Sequence, residues 1–129
     1  MDIETGEVLF EWHSLEHVGF EESTAGPNPD QRDAYDYFQI NSVAEDNVGN
    51  LLVGARKTSA IYKVDRESGE VIWRLGENRS NFVMGEGARF AFQHDARRHR
   101  DGTITIFDNR ARTWTNPRAE SASSSTRRP

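Results

Sequence analysis

The sequence predicts an all-β chain assembled from a repeated unit, and three observations carry that prediction. Asp2-Ile3-Glu4-Thr5-Gly6-Glu7-Val8-Leu9-Phe10 returns as Asp65-Arg66-Glu67-Ser68-Gly69-Glu70-Val71-Ile72-Trp73 after 63 residues, and self-similarity at such a period marks stacked structural repeats. Each copy is a polar, Gly-containing turn feeding a β-branched and aromatic run, which is hairpin chemistry. The remaining apolar runs are short and bounded by Asp, Asn, Gly and Ser clusters, as strands are.

The elements follow in order. Residues 6–12 read as a first strand entered from the turn Glu4-Thr5-Gly6, and residues 13–26 are ambiguous. Residues 37–43 read as a second strand, with Phe38 and Ile40 on one face and Gln39 and Asn41 on the other. Asp46-Asn47-Val48-Gly49-Asn50 makes a turn. Leu51-Leu52-Val53-Gly54-Ala55 is then a continuous apolar run of the kind covered on both faces. Lys57-Thr58-Ser59 connects to a strand over 60–64, and residues 66–69 turn it back. Residues 70–75 alternate Val71, Trp73 and Leu75 against Glu70, Ile72 and Arg74. Such a four-strand meander has the size and order of a propeller blade, whose two faces are both covered by neighbouring blades. After a Gly-rich connection over 76–87, residues 89–96 and 101–108 read as the first two strands of a following blade. The expectation is therefore a β-propeller fragment of about two four-stranded antiparallel blades, incomplete at both ends and spanning residues 1–113.

Composition sharpens this. The hydrophobic share is 35%, a thin core for the length. Residues 114–129 carry almost no apolar side chain and read as a disordered tail, and the polar 21–34 loop holds Pro27 and Pro29. A net charge of −5 argues against a nucleic-acid groove, which needs a basic surface. The region after Gly87 is nonetheless locally basic, through Arg89, Arg97, Arg98, His99, Arg100, Arg110 and Arg112. Such a patch suits either a solvated strand edge or an anionic small molecule. No cysteine is present, so thiolate metal sites and disulfides are excluded. No run approaches a membrane helix, and if Met1 is the natural start no signal peptide is expected.

Four segments in order resemble the arylsulfotransferase family. They are residues 36–43 (Asp-Tyr-Phe-Gln-Ile-Asn-Ser-Val), 49–56 (Gly-Asn-Leu-Leu-Val-Gly-Ala-Arg) and 69–76 (Gly-Glu-Val-Ile-Trp-Arg-Leu-Gly). The fourth is 92–97 (Phe-Gln-His-Asp-Ala-Arg), followed by Phe107-Asp108-Asn109. The resemblance runs from the first residues to about Thr113. It implies a six-bladed propeller enzyme that moves a sulfuryl group from an aryl sulfate to a phenol through a sulfated histidine, with no cofactor or metal, in chains several times longer than this one. His94 matches the nucleophile, which must present a neutral imidazole nitrogen. Asn41 and Arg56 match the positions that hold the sulfuryl oxygens, where donors and cations stabilise developing charge, and a planar guanidinium engages two such oxygens at once. Gln39 stands where the family usually has a histidine; glutamine donates a hydrogen bond but cannot protonate a departing phenolate. Asp95, adjacent to His94 on a strand, is expected to face away from its ring.

Other readings compete with this one. A non-catalytic propeller fragment with a binding or structural role keeps the same scaffold residues, and in either case exposed blade faces are expected to self-associate. His13-Ser14-Leu15-Glu16-His17 fits the H-x-x-E-H zinc pattern, but its context lacks the long helix that pattern needs, so packing beneath the 21–34 loop is expected instead. Asp46 to Asn50 has the look of a calcium loop without its length or closing glutamate, and a plain turn is expected. Asn78-Arg79-Ser80 is a glycosylation acceptor by pattern alone.

Overall fold

A computed structural model describes residues 1–109 except 25, 28, 31 and 33, together with the short strand Thr126–Arg127. The expected tail over 114–129 otherwise lies outside the described residues. Among the described residues every regular element longer than a single 3₁₀ turn is β. Strands β1 (Ile40–Glu45), β2 (Leu51–Ala55), β3 (Ala60–Val64) and β4 (Val71–Gly76) form one antiparallel meander in sequence order. Strands β5 (His94–Arg98), β6 (Thr103–Phe107) and β7 (Thr126–Arg127) form a second sheet. Among the described residues no helix is long and apolar enough to cross a membrane.

The meander is the predicted one, and its turns are closed by the residues that signalled them. At the β1–β2 turn, Asp46 Oδ1 accepts from the backbone N–H groups of Val48 and Asn50, both at 3.0 Å. Its other oxygen, Oδ2, faces Lys63 Nζ at 3.0 Å. The lysine thus stands where a cation would in a calcium loop, and the segment is a turn. Burial pushes the Asp46 carboxyl up, but these two N–H bonds and the Lys63 ammonium outweigh it and hold the group below 3.8. A carboxyl lowered in the folded state stabilises above its unfolded value and loses that contribution as pH falls through the folded one. Asp46→Ala is expected to cost about 2 kcal/mol near neutral pH. The deficit should shrink towards zero below pH 3.8, read from denaturant melts at both ends of the range.

The continuous run in β2 is covered on both faces, as such runs are. On one face Val53, Ala55, Ala60, Tyr62 and Val64 pack beneath Val18, Tyr37 and Phe38, with Phe10, Trp12 and Tyr35 at the margin. On the other, Leu52, Ile61 and Leu75 meet Phe90, Ala96, Ile104 and Ile106 of the second sheet and its approach. The first sheet is therefore the middle of three layers.

Three strand expectations are corrected, and one open segment is resolved. Residues 6–12 form no strand; they supply Phe10 and Trp12 as a cover for the first core, and Trp12 Nε1 donates to Gly69 O at 2.9 Å. The strands expected at 37–43 and 89–96 begin later than the apolar pattern suggests, at Ile40 and His94, because Gln39 and Phe92 both take φ of 53°. That left-handed step interrupts the alternation, so Phe38 is buried while Ile40 is 45% exposed. In β4 an irregularity against Lys63 and Val64 places Val71 on the opposite core from Trp73, which a strict period of two forbids. The 13–26 segment, ambiguous in sequence, forms two 3₁₀ turns, Ser14–Glu16 and Phe20–Glu22.

The repeated phrase folds the same way twice. In the first copy Gly6 N donates to Asp2 O and Asp2 N to Glu7 O, both at 2.8 Å; in the second, Gly69 N donates to Asp65 O and Asp65 N to Glu70 O, both at 2.9 Å. The aspartate side chain caps two backbone N–H groups in each, and the glycines sit at φ of 73° and 77°. Those caps hold the Asp2 and Asp65 carboxyls below their usual range.

Candidate functional site

Gln39, Asn41, Arg56 and His94 all lie where the same ends of the two sheets meet: the start of β1, the residue after β2 and the start of β5. Their spacing has a structural cause. Asp46 N donates to Asn50 O at the β1–β2 turn, and His99 N to Thr103 O at the β5–β6 turn. Glu45 pairs Leu51 as Arg98 pairs Ile104. Counting back from these matched turns sets Asn41 and His94 at the same position of successive sheets, each two residues after a left-handed step and each at a register irregularity. One backbone device thus presents the amide in one sheet and the imidazole in the next.

Bonds between the sheets fix this junction. Asn41 Nδ2 donates to Gln93 O at 2.8 Å, which leaves its second N–H and its carbonyl oxygen available. Gln93 is fully buried, and its Nε2 donates to Ala55 O at 3.2 Å and to Ala60 O at 2.9 Å, clamping the residue before His94 to the β2–β3 hairpin. Phe92 N donates to Ser59 Oγ at 3.3 Å, and Ala96 N to Ser42 Oγ at 3.3 Å. The Arg56 guanidinium lies 4.9 Å from the centre of the Phe92 ring, a cation–π contact that limits its swing. Gln39 is exposed and its carbonyl accepts from Arg56 N at 2.9 Å, so the two are tied through the backbone.

The His94 ring is half-buried and stacked on Phe107, with centroids 4.7 Å apart and planes at 24°. Among the described residues neither ring nitrogen is hydrogen-bonded, so the imidazole is held by its face and keeps its edge open. Asp95 takes φ of 57° and accepts from Arg97 Nε at 2.8 Å; its bond goes to Arg97, not to the His94 ring. Gln93, Phe92 and Phe107 were present in the sequence motifs, but nothing in their residue type distinguished clamp or stacking partner from strand filler.

The H-x-x-E-H segment takes a different shape from the one its pattern needs. Ser14–Glu16 is a 3₁₀ turn, so the two histidines are not one α-helical turn apart. His13 Nε2 lies 2.9 Å from Glu11 Oε1, and His17 stacks on Trp12 at 5.4 Å. Among the described residues no three His, Asp or Glu side chains gather as a metal site.

No curated protein and no solved structure matches this chain. A sequence model described as arylsulfotransferase (ASST) matches residues 1–127. Nearly the whole chain is covered, including Gln39, Asn41, Arg56 and His94, and the chain belongs to the arylsulfotransferase family.

Proposed function

We propose that this chain is the His94-bearing part of a sulfuryl-transfer site in a β-propeller, acting on an aryl sulfate donor and a phenolic acceptor. The observations that support the reading are the Asn41 bond to the residue before His94, the backbone tie between Arg56 and Gln39 at the same sheet junction, and a His94 imidazole whose nitrogens are free among the described residues. A His94 ring nitrogen attacks sulfur, forming an N–S bond as the S–O(aryl) bond breaks and the phenolate leaves with its electron pair. The acceptor phenol then attacks sulfur and loses its proton to water as the new S–O bond forms, while the N–S bond breaks and its electron pair returns to the imidazole. Arg56 and the second Asn41 N–H hold the sulfuryl oxygens through both steps. Gln39 donates to an oxygen but supplies no proton, so donors with weakly basic leaving groups are favoured. Antiparallel sheets packed face to face support the propeller reading, in which further blades complete the site.

4-Nitrophenyl sulfate departs without an acid and tests this directly. The full chain is expected to release no more than about one equivalent of nitrophenolate, as a burst that leaves a sulfuryl adduct on the His94 peptide. Steady turnover with phenol is expected to stay at background. Peptide mass mapping should find no adduct in His94→Ala. An adduct elsewhere, or an unchanged burst in that variant, would overturn the assignment. Gln39 favours a second reading, a site that binds aryl sulfates without transferring them; binding without any adduct would select it.

A further inference from the structure

Beside the junction, a groove of about 470 Å³ runs between β1 and β5, with Ser42, Glu45, Asp95, Arg97, Arg98 and His99 along it. Most of its polar groups already have partners. Asp95 holds Arg97 Nε at 2.8 Å, Glu45 lies 3.6 Å from Arg66, and His99 Nε2 is 2.8 Å from Thr105 Oγ1. Arg98 differs: it is half-buried, its Nε is shut off from the surface with no hydrogen-bond partner, and among the described residues no carboxylate pairs with it. A charged side chain without a partner costs free energy, and the two terminal nitrogens of an arginine, which lie beyond its enclosed Nε, fit a planar or tetrahedral oxyanion.

The geometry points to an oxyanion site in this groove, with Arg98 as its anchor and a carboxylate or sulfate group as its ligand. Arg98 lies four residues along β5 from His94, on the order of 13 Å of strand. An aryl substrate lying along β5 from His94 would carry its anionic group into the groove, and that source rests on the reading of His94 given above. The site itself does not, because free sulfate offers the same chemistry.

NMR of the arginine Nε–Hε groups in the full chain tests the site without requiring transfer. The Arg98 signal is assigned by its loss in Arg98→Met. Sodium sulfate and 3-(4-hydroxyphenyl)propanoate are expected to move that signal saturably, while the neutral 3-(4-hydroxyphenyl)propan-1-ol leaves it in place. Tighter binding of the phenol carboxylate than of sulfate assigns the site to substrate; the reverse assigns it to a free anion. Binding of the preferred probe, followed on other signals, should weaken at least tenfold in Arg98→Met. Val43→Glu provides a control for folding, since Val43 lines the groove and is 58% exposed, and it should weaken binding similarly while Arg98 remains. No saturable shift with either anion, or affinity in both variants within twofold of the parent, would overturn the site.

Discussion

Arg74→Met is expected to lower the unfolding free energy by about 3 kcal/mol, since it leaves a buried carboxylate with only the exposed Arg79 guanidinium, 3.8 Å from Glu22 Oε2, as its cation. Glu22 is 2% exposed. Arg74 Nε donates to Glu22 Oε1 at 2.7 Å, and one terminal nitrogen donates to Oε2 at 3.2 Å and to His17 O at 3.0 Å. The buried Tyr62 hydroxyl donates to Glu22 Oε1 at 3.3 Å. Burial, reinforced by the neighbouring Glu22 charge, pushes the Tyr62 phenol far above its usual range, so it remains a donor at any pH the chain tolerates. Asn78 Nδ2 lies 3.2 Å from the carbonyls of Glu21, Glu22 and Ser23. This network binds the first layer to the meander, so its loss should free the 13–23 segment while the sheet persists. Adding Glu22→Gln to Arg74→Met should recover part of the cost, because the stranded charge is gone. Denaturant melts of the two single variants and the double close the cycle; a single-variant cost under about 1 kcal/mol would mean the pair is solvated.

Gly76→Ala is expected to cost about 3–5 kcal/mol, combining a strained backbone with overpacking. Gly76 pairs with Ala60 at the end of β4 and takes φ of 156°. A Cβ there would collide with the Ser59 carbonyl oxygen and sit 2.7 Å from Ala60 Cα, and neither atom can rotate away. Gly6→Ala is the matched control. Its φ is 73°, but a methyl group at that position would meet nothing within 4 Å, so only the left-handed penalty of about 1–2 kcal/mol applies. Melts of equal cost for the two variants would show that the close approach at Gly76 contributes nothing.

Much of the meander was legible because its signals are local. The Asp46–Asn50 turn, the twice-covered Leu51–Ala55 run and the hairpins around 57–59 and 66–69 each follow from neighbouring residue types. What escaped depends on distant partners or single dihedrals. Residues 6–12 have strand composition, but no strand among the described residues pairs with them. Gln39 and Phe92 show no residue-type preference for a positive φ, yet that step decides where β1 and β5 begin. Glu22 and Arg74 are 52 residues apart, and no periodicity pairs them. The site residues were legible only as letters of a family pattern; the matched register of Asn41 and His94, and the Gln93 clamp between them, emerge from pairing and burial.

The aspartate–glycine turn closes identically at Asp65, where a paired strand follows, and at Asp2, where none does among the described residues. Its shape is therefore written into six residues and borrows nothing from the sheet. Segments of that kind close early, on the microsecond scale of an isolated hairpin, before any long-range contact forms. The expected order of assembly has β3 and β4 pairing among the first strands, and a φ-value near 1 for Asp65→Ala is its check.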